Sequence, residues 1–205
     1  MSRSVLYLHG FASGPKSYKK EQVKEIFDTG KVSYPQLSPH PGEAVQQIDE
    51  ELEQLTGKDP QHLNVLIGTS LGGFYAMLFA LRRRIPAFVY NPASDASLFE
   101  ELIGTHKRFT DGAEFEFTEA DCRYLRDEAF PELYQLARVH PERSRYLYIS
   151  YNQDDETVPH DFKHYKRHFP HAQFEIFPDG GHGFADLKKS NLIQEVDLNL
   201  FIRNK

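Results

Sequence analysis

The chain has 205 residues, with 24 Lys and Arg against 30 Asp and Glu, so its formal net charge is −6 with histidine neutral. Hydrophobic residues make up 40% and charged residues 26%, which excludes disordered, collagen-like and low-complexity classes. A chain of this length buries roughly 70% of its unfolded surface without covalent staples, the acidic balance argues against a broad footprint for phosphate backbones, and no run of about 18 apolar residues could cross a membrane.

The single cysteine, Cys122, can form neither an intrachain disulfide nor a cysteine metal cluster. Met-Ser-Arg-Ser followed by Val5–Leu8 is too short an apolar stretch for a secretory signal, so the cytoplasm is the expected compartment. Residues 1–205 read as one domain. Neither a nucleic-acid nor a membrane partner is expected, and the dense basic run Arg82-Arg83-Arg84 reads as the solvated end of a helix.

In chain order, short apolar runs alternate with longer amphipathic segments, the pattern of a parallel sheet covered by helices, so the fold class is α/β. Strands are expected over Val5–Leu8, Val32–Tyr34, Val65–Ile67, Ala87–Tyr90, Tyr146–Ser150 and Phe174–Phe177, each ending in turn-forming or polar residues. Helices are expected over Ser17–Asp28, Gly42–Leu55, Leu71–Arg83, Pro159–Phe169 and Leu192–Ile202. The second carries Ala44, Val45, Ile48, Leu52 and Leu55 on one face at spacings of three and four. Residues 92–141 are charged and interrupted by Gly104, Gly112 and Pro131, and read as a short helical cap excursion within the domain. Its aromatic side chains, among them Phe115, Phe117, Phe130 and Tyr134, could line an acyl pocket or pack the cap.

Gly68-Thr69-Ser70-Leu71-Gly72-Gly73 fits G-x-S-x-G between an apolar run and a helix. A nucleophilic serine needs such a tight strand-to-helix turn to expose its Oγ, with Gly68, Gly72 and Gly73 leaving room for close packing. The alternative is that Ser70 simply caps the helix. A serine also needs a base, and His182, in the glycine-rich stretch after the last apolar run, is the strongest of ten histidines. A carboxylate must orient that imidazole, and Asp154-Asp155-Glu156 follow the preceding strand, giving the chain order serine, acid, histidine. His160, His164 and His168 recur every four residues, but without an accompanying carboxylate motif they read as one face of a solvated helix, not a metal site.

Leu8-His9-Gly10-Phe11, the elbow, the acid before Thr157-Val158-Pro159, and Gly181-His182-Gly183-Phe184 together resemble the α/β-hydrolase superfamily. The opening Tyr7–Ser17 and Asn91-Pro92 are similar to the small YqiA-like esterase family. The resemblance implies a compact hydrolase fold and a carboxylesterase or thioesterase acting on a small-molecule ester or thioester, with no metal or organic cofactor. It selects Asp155 as the acid, with Asp154, Glu156 and Asp95 as alternatives, and assigns the oxyanion hole to the backbone N–H groups of Leu71 and Phe11. His9 is then expected to orient its loop through hydrogen bonds. A peptidase or acyltransferase would use the same machinery, and a binding or scaffold protein could retain the fold without turnover.

Overall fold

The computed structural model describes residues 3–15, 19–26, 31–56, 63–183 and 186–191. Six strands, β1 (Arg3–Leu8), β2 (Val32–Ser33), β3 (Leu63–Thr69), β4 (Ala87–Tyr90), β7 (Leu147–Asn152) and β8 (Gln173–Phe177), form one sheet in the order β2-β1-β3-β4-β7-β8. Every pair in it is parallel. The chain steps outward from β1 to β2, then crosses back to the other side of β1 for β3. The order therefore reverses between β1 and β3, and loops leaving neighbouring strands at such a point diverge to leave a crevice at their carboxyl ends.

Strand periodicity divides the core between the two faces of the sheet. Leu6, Leu8, Leu66, Val89, Leu147 and Ile149 pack on one face, with α2 (Pro41–Thr56) and α3 (Leu71–Arg83). Val5, Tyr7, Val65, Ile67, Phe88 and Tyr148 pack on the other, with Val23 of α1 (Lys19–Ile26). Both faces are apolar because helices cover both, which is why the strands read as continuous apolar runs. The residues from Leu71 to Leu81 are all buried, so α3 is apolar all round and central.

Residues 92–141 leave the sheet after β4 and return before β7. They begin with a 3₁₀ turn, Ala96–Leu102, and an antiparallel hairpin of β5 (Gly104–Lys107) and β6 (Glu114–Phe117). The helical part follows, with α4 (Glu119–Tyr124), a π turn at Leu125–Ala129, and α5 (Phe130–Val139). The hairpin adds strand structure to a segment expected to be helical. Glu114-Phe115-Glu116-Phe117 alternates with period two, and Gly112 supplies the positive φ of 71° at the turn. Phe130 stacks on Phe74 at 4.0 Å and docks α5 on α3.

All six expected strands form. The helix expected from Pro159 spans only α6 (Phe162–His168), because Asp161 caps it by accepting a hydrogen bond from the Lys163 N–H. The expected Leu192–Ile202 helix and both ends of Ser17–Asp28 lie outside the described residues. Two arginines of the basic run are held by carboxylates: Arg82 forks onto Glu132 at 2.6 and 2.5 Å, and Arg83 reaches Asp49 at 2.6 Å. Among the described residues no helix is long and apolar enough to cross a membrane.

Candidate active site

Ser70 sits between β3 and α3 with φ 55° and ψ −124°, a conformation that costs a non-glycine residue on the order of 1–3 kcal/mol. The surroundings impose it. The Ser70 N–H donates to the Tyr90 carbonyl at 3.1 Å, while the Ser70 carbonyl accepts from the Phe74 and Ala93 N–H groups at 3.1 and 3.0 Å. The turn also needs its glycines, since a Cβ on Gly68 would lie 2.2 Å from the Gly72 carbonyl oxygen, and one on Gly72 2.1 Å from that of Leu8. Ser70 makes no side-chain cap bond to the helix. Its Oγ lies 3.0 Å from Nε2 of His182 instead.

The histidine loop is built from backbone contacts that the sequence does not advertise. Gly180 and Gly181 adopt φ of 138° and 62°, and their N–H groups donate to Asp154 at 3.2 and 2.9 Å. The His182 N–H donates to Glu156 at 3.2 Å. Just past the end of β4, the Asn91 amide donates to the carbonyls of Gly181 and His182, both at 2.9 Å, and its oxygen accepts from the Asn152 N–H at 2.8 Å. From α1, the buried Lys19 donates to the Gly183 carbonyl at 2.6 Å, and burial pushes its ammonium down to about 8.

Asp155 faces the imidazole, with Nδ1 of His182 3.0 and 2.9 Å from its two oxygens. Its side chain is 1% exposed, whereas that of His182 is 23% exposed. Burial by itself would raise the Asp155 carboxyl, but hydrogen bonds from His160, His182 and the Val158 N–H, with the attraction of His182, hold it well below the usual carboxylate range. The carboxylate therefore stays ionised in a dry site. Among the alternatives to it, Asp154 and Glu156 are engaged by backbone N–H groups, and Asp95 caps the 3₁₀ turn by accepting from Ser97 at 2.7 Å.

The loop after β1 passes directly over the elbow, so that a Cβ on Gly10 would meet that of Ser70 at 3.1 Å. His9 fixes the loop's course. Its Nε2 accepts from the Leu37 N–H at 3.0 Å, which assigns the ring proton to Nδ1, and Nδ1 donates to the Gly10 carbonyl at 2.9 Å. Burial, aided by the charge of Arg108 and opposed by the Gly10 contact, lowers the His9 pKa, in keeping with a neutral ring. Phe11 follows Gly10 and Leu71 follows Ser70, so both main chains flank the serine. Phe11 packs edge-on against Phe115 and Phe117, at 5.6 and 5.3 Å. Phe117 is fully buried, while Phe115, with Gly10, Phe11, Leu37, Leu71 and Tyr75, lines a small cavity of about 20 Å³. The excursion's aromatics thus both pack it and wall a pocket.

Ser70, Asp155, His182, Gly68, Gly72, Gly73, Phe11 and Leu71 therefore fall in one place, although Phe184 of the histidine motif lies outside the described residues. The reading of three histidines along one solvated helix is corrected. His160 precedes α6, its side chain is 1% exposed, and its Nε2 contacts Asp155 at 3.0 Å. His164 and His168 do share α6, but His164 contacts the Tyr134 hydroxyl at 3.1 Å and the two rings lie 4.6 Å apart. Asp161 is the signal that separates His160 from the helix, because a capping aspartate leaves the preceding residue outside it. For Lys19 and Asn152 no comparable signal exists.

Solved structures resemble this fold over nearly the whole chain. Est1E from Butyrivibrio proteoclasticus, in a structure with bound ferulic acid, aligns with 13% identity and a TM-score of 0.61, covering 99% of this chain and 90% of its own. A structure described for the metagenome-derived lipolytic enzymes LipS and LipT has 17% identity and a TM-score of 0.57, with 99% and 94% covered. A thioesterase domain from the curacin biosynthetic pathway has 16% identity and a TM-score of 0.59, with 94% and 91% covered. The fold is that of the α/β hydrolases. Residues 4–198 match a single family model, so the chain belongs to the uncharacterised protein family UPF0227.

Proposed function

We propose that the protein is a serine hydrolase of carboxylic esters or thioesters, close in kind to the YqiA-like esterases. One observation carries the reading: an unbroken hydrogen-bond line from Ser70 Oγ to His182 Nε2 at 3.0 Å and from His182 Nδ1 to Asp155 at 2.9 Å. An ionised Asp155 can only accept, so the imidazole proton resides on Nδ1 and the Nε2 lone pair faces the serine. In that tautomer His182 takes the Oγ proton as Ser70 attacks the acyl carbonyl. The imidazolium then returns the proton to the departing alkoxide or thiolate. Water, deprotonated by the same nitrogen, cleaves the acyl-enzyme, and Ser70 recovers its proton. The Leu71 and Phe11 N–H groups stabilise the oxyanion, with Leu71 at the positive end of α3. No step calls on a metal or organic cofactor.

A small cavity lined by Phe11, Leu71, Tyr75 and Phe115 opens beside the serine turn. The ester, lipid and thioester chemistry named for the structural neighbours supports the reaction class. Ser70→Ala is expected to abolish p-nitrophenyl acetate hydrolysis without loss of fold; a fully active variant overturns the proposal. A protein that retained the fold for binding alone would remain unlabelled at Ser70 by a fluorophosphonate.

A further inference from the structure

Resting on that reading, we infer that His160 is a positioning residue for the acid. It holds Asp155 at Oδ2, the oxygen it shares with His182, and couples it, through Tyr165, to the backbone that shapes the elbow.

The contacts form a closed circuit. His160 Nε2 lies 3.0 Å from Asp155 Oδ2, and its Nδ1 lies 3.0 Å from the Tyr165 hydroxyl. That hydroxyl is 3.2 Å from the Pro92 carbonyl oxygen. Pro92 abuts the elbow, since a Cβ on Gly73 would meet its Cα at 3.0 Å, and the next residue, Ala93, donates its N–H to the Ser70 carbonyl at 3.0 Å. Contacts leaving Ser70 at Oγ thus run through His182, Asp155, His160 and Tyr165, whose single proton is shared between His160 Nδ1 and the Pro92 carbonyl, and return through the Pro92–Ala93 peptide to the Ser70 carbonyl. Acid and nucleophile lie on different loops, and this circuit is what sets one against the other.

The carboxylate needs the contact. Its Oδ1 accepts from the Thr157 and Val158 N–H groups, both at 2.9 Å. Its Oδ2 has His160 and a share of the single Nδ1 proton of His182. With the side chain 1% exposed, water does not replace a missing donor. His160 is itself fixed, with its ring 4.7 Å from that of Tyr151 and stacked on it. The titratable groups around it are Asp155 on its own loop, Tyr151 of β7, Tyr165 of α6, and His182 beyond the shared carboxylate.

The electrostatic consequence has a definite sign. A donor on Oδ2 draws on carboxylate charge that otherwise stabilises the His182 imidazolium. Replacing His160 by a group that cannot donate returns that charge to the imidazolium formed on proton transfer, and the acid limb of reactivity moves up. The plateau rate falls at the same time, because the carboxylate loses a contact that fixes its rotation.

The test measures fluorophosphonate labelling of Ser70 against pH in wild type, His160→Gln and His160→Leu, together with the proton resonance of the His182 imidazole by NMR. His160→Leu is expected to lose roughly tenfold or more of the plateau rate, with the acid limb displaced upward and the His182 resonance moved. His160→Gln, whose amide N–H takes the place of Nε2–H, is expected to stay within about threefold with the limb restored. A folded His160→Leu with an unchanged limb and resonance overturns the inference, as does a His160→Gln no better than it. If His160→Leu does not fold, Tyr165→Phe carries the test; it removes only the hydroxyl, and an unmoved limb and resonance then count against the inference. Absence of labelling in wild type refutes the hydrolase reading. In that case the NMR comparison decides His160 alone: a moved His182 resonance supports its positioning role and an unmoved one overturns it.

Discussion

Asp155→Asn separates the chemistry of the acid from its packing. Every partner of this side chain donates to it: the N–H groups of Thr157 and Val158 to Oδ1, His160 to Oδ2, and His182 to both oxygens. Asparagine keeps the shape but carries one oxygen and one NH₂, so one side of the group must now donate. The two main-chain N–H groups cannot become acceptors, which turns the amide oxygen toward them and the NH₂ toward the histidines. His160 adapts by moving its proton to Nδ1, donating to Tyr165, whose hydroxyl donates to the Pro92 carbonyl. His182 adapts in the same way, and its proton moves to Nε2, the nitrogen facing Ser70. The base is then blocked by its own proton. In the serine-protease template the corresponding wrong tautomer lowers kcat by about 10⁴, equivalent to about 5.5 kcal/mol of transition-state stabilisation. Since each partner still has a hydrogen bond, stability should change by less than about 2 kcal/mol. The assay is p-nitrophenyl acetate hydrolysis beside a thermal melt. A folded variant that retains more than about a tenth of wild-type kcat/KM refutes the tautomer argument.

Two further outcomes concern stability. Gly72→Ala places a Cβ 2.1 Å from the Leu8 carbonyl oxygen and 2.5 Å from that of His9, backbone atoms that cannot swing aside. Opening that contact should cost about 3 kcal/mol and lower Tm by about 6–12 °C, whereas a melt within about 2 °C of wild type shows that the close approach is not needed. Lys19 titrates at about 8 in the fold, against an ordinary value of 10.5. Between those values the unfolded chain holds a proton that the folded chain has lost, so this group raises stability as pH increases through the window, by up to about 3 kcal/mol. Urea unfolding of wild type and Lys19→Met at pH 7.5 and 10.5 should show the difference moving in favour of wild type by that amount; a pH-independent difference refutes the assignment.

The sheet was legible because strands and helices announce themselves locally. Val5–Leu8 stops at His9-Gly10, Ala87–Tyr90 at Asn91-Pro92, and the face of α2 repeats every three or four residues. The hairpin at Gly104–Phe117 was less legible because its short strands are half exposed and lie among helical segments. The elbow was legible for a stricter reason. Its glycines answer a steric demand that the Gly68–Gly72 and Gly72–Leu8 contacts make explicit.

Local pattern suffices for the order of the parts and the residue types each turn could tolerate: a serine between glycines, three acids after one strand, a histidine among glycines after the next. Tertiary structure decided which parts meet. Adjacent acids point in different directions from a bent loop, so only packing could turn Asp155 inward and leave Asp154 and Glu156 to hold the backbone of the histidine loop. The four-residue spacing of the histidines, the absence of a carboxylate motif and the basic residues around them read as a solvated face, and burial of His160 against Tyr151 and Asp155 reverses that reading. Hydrogen bonds between loops depend on distances that no local pattern encodes, because they are set by how the sheet and helices pack beneath them.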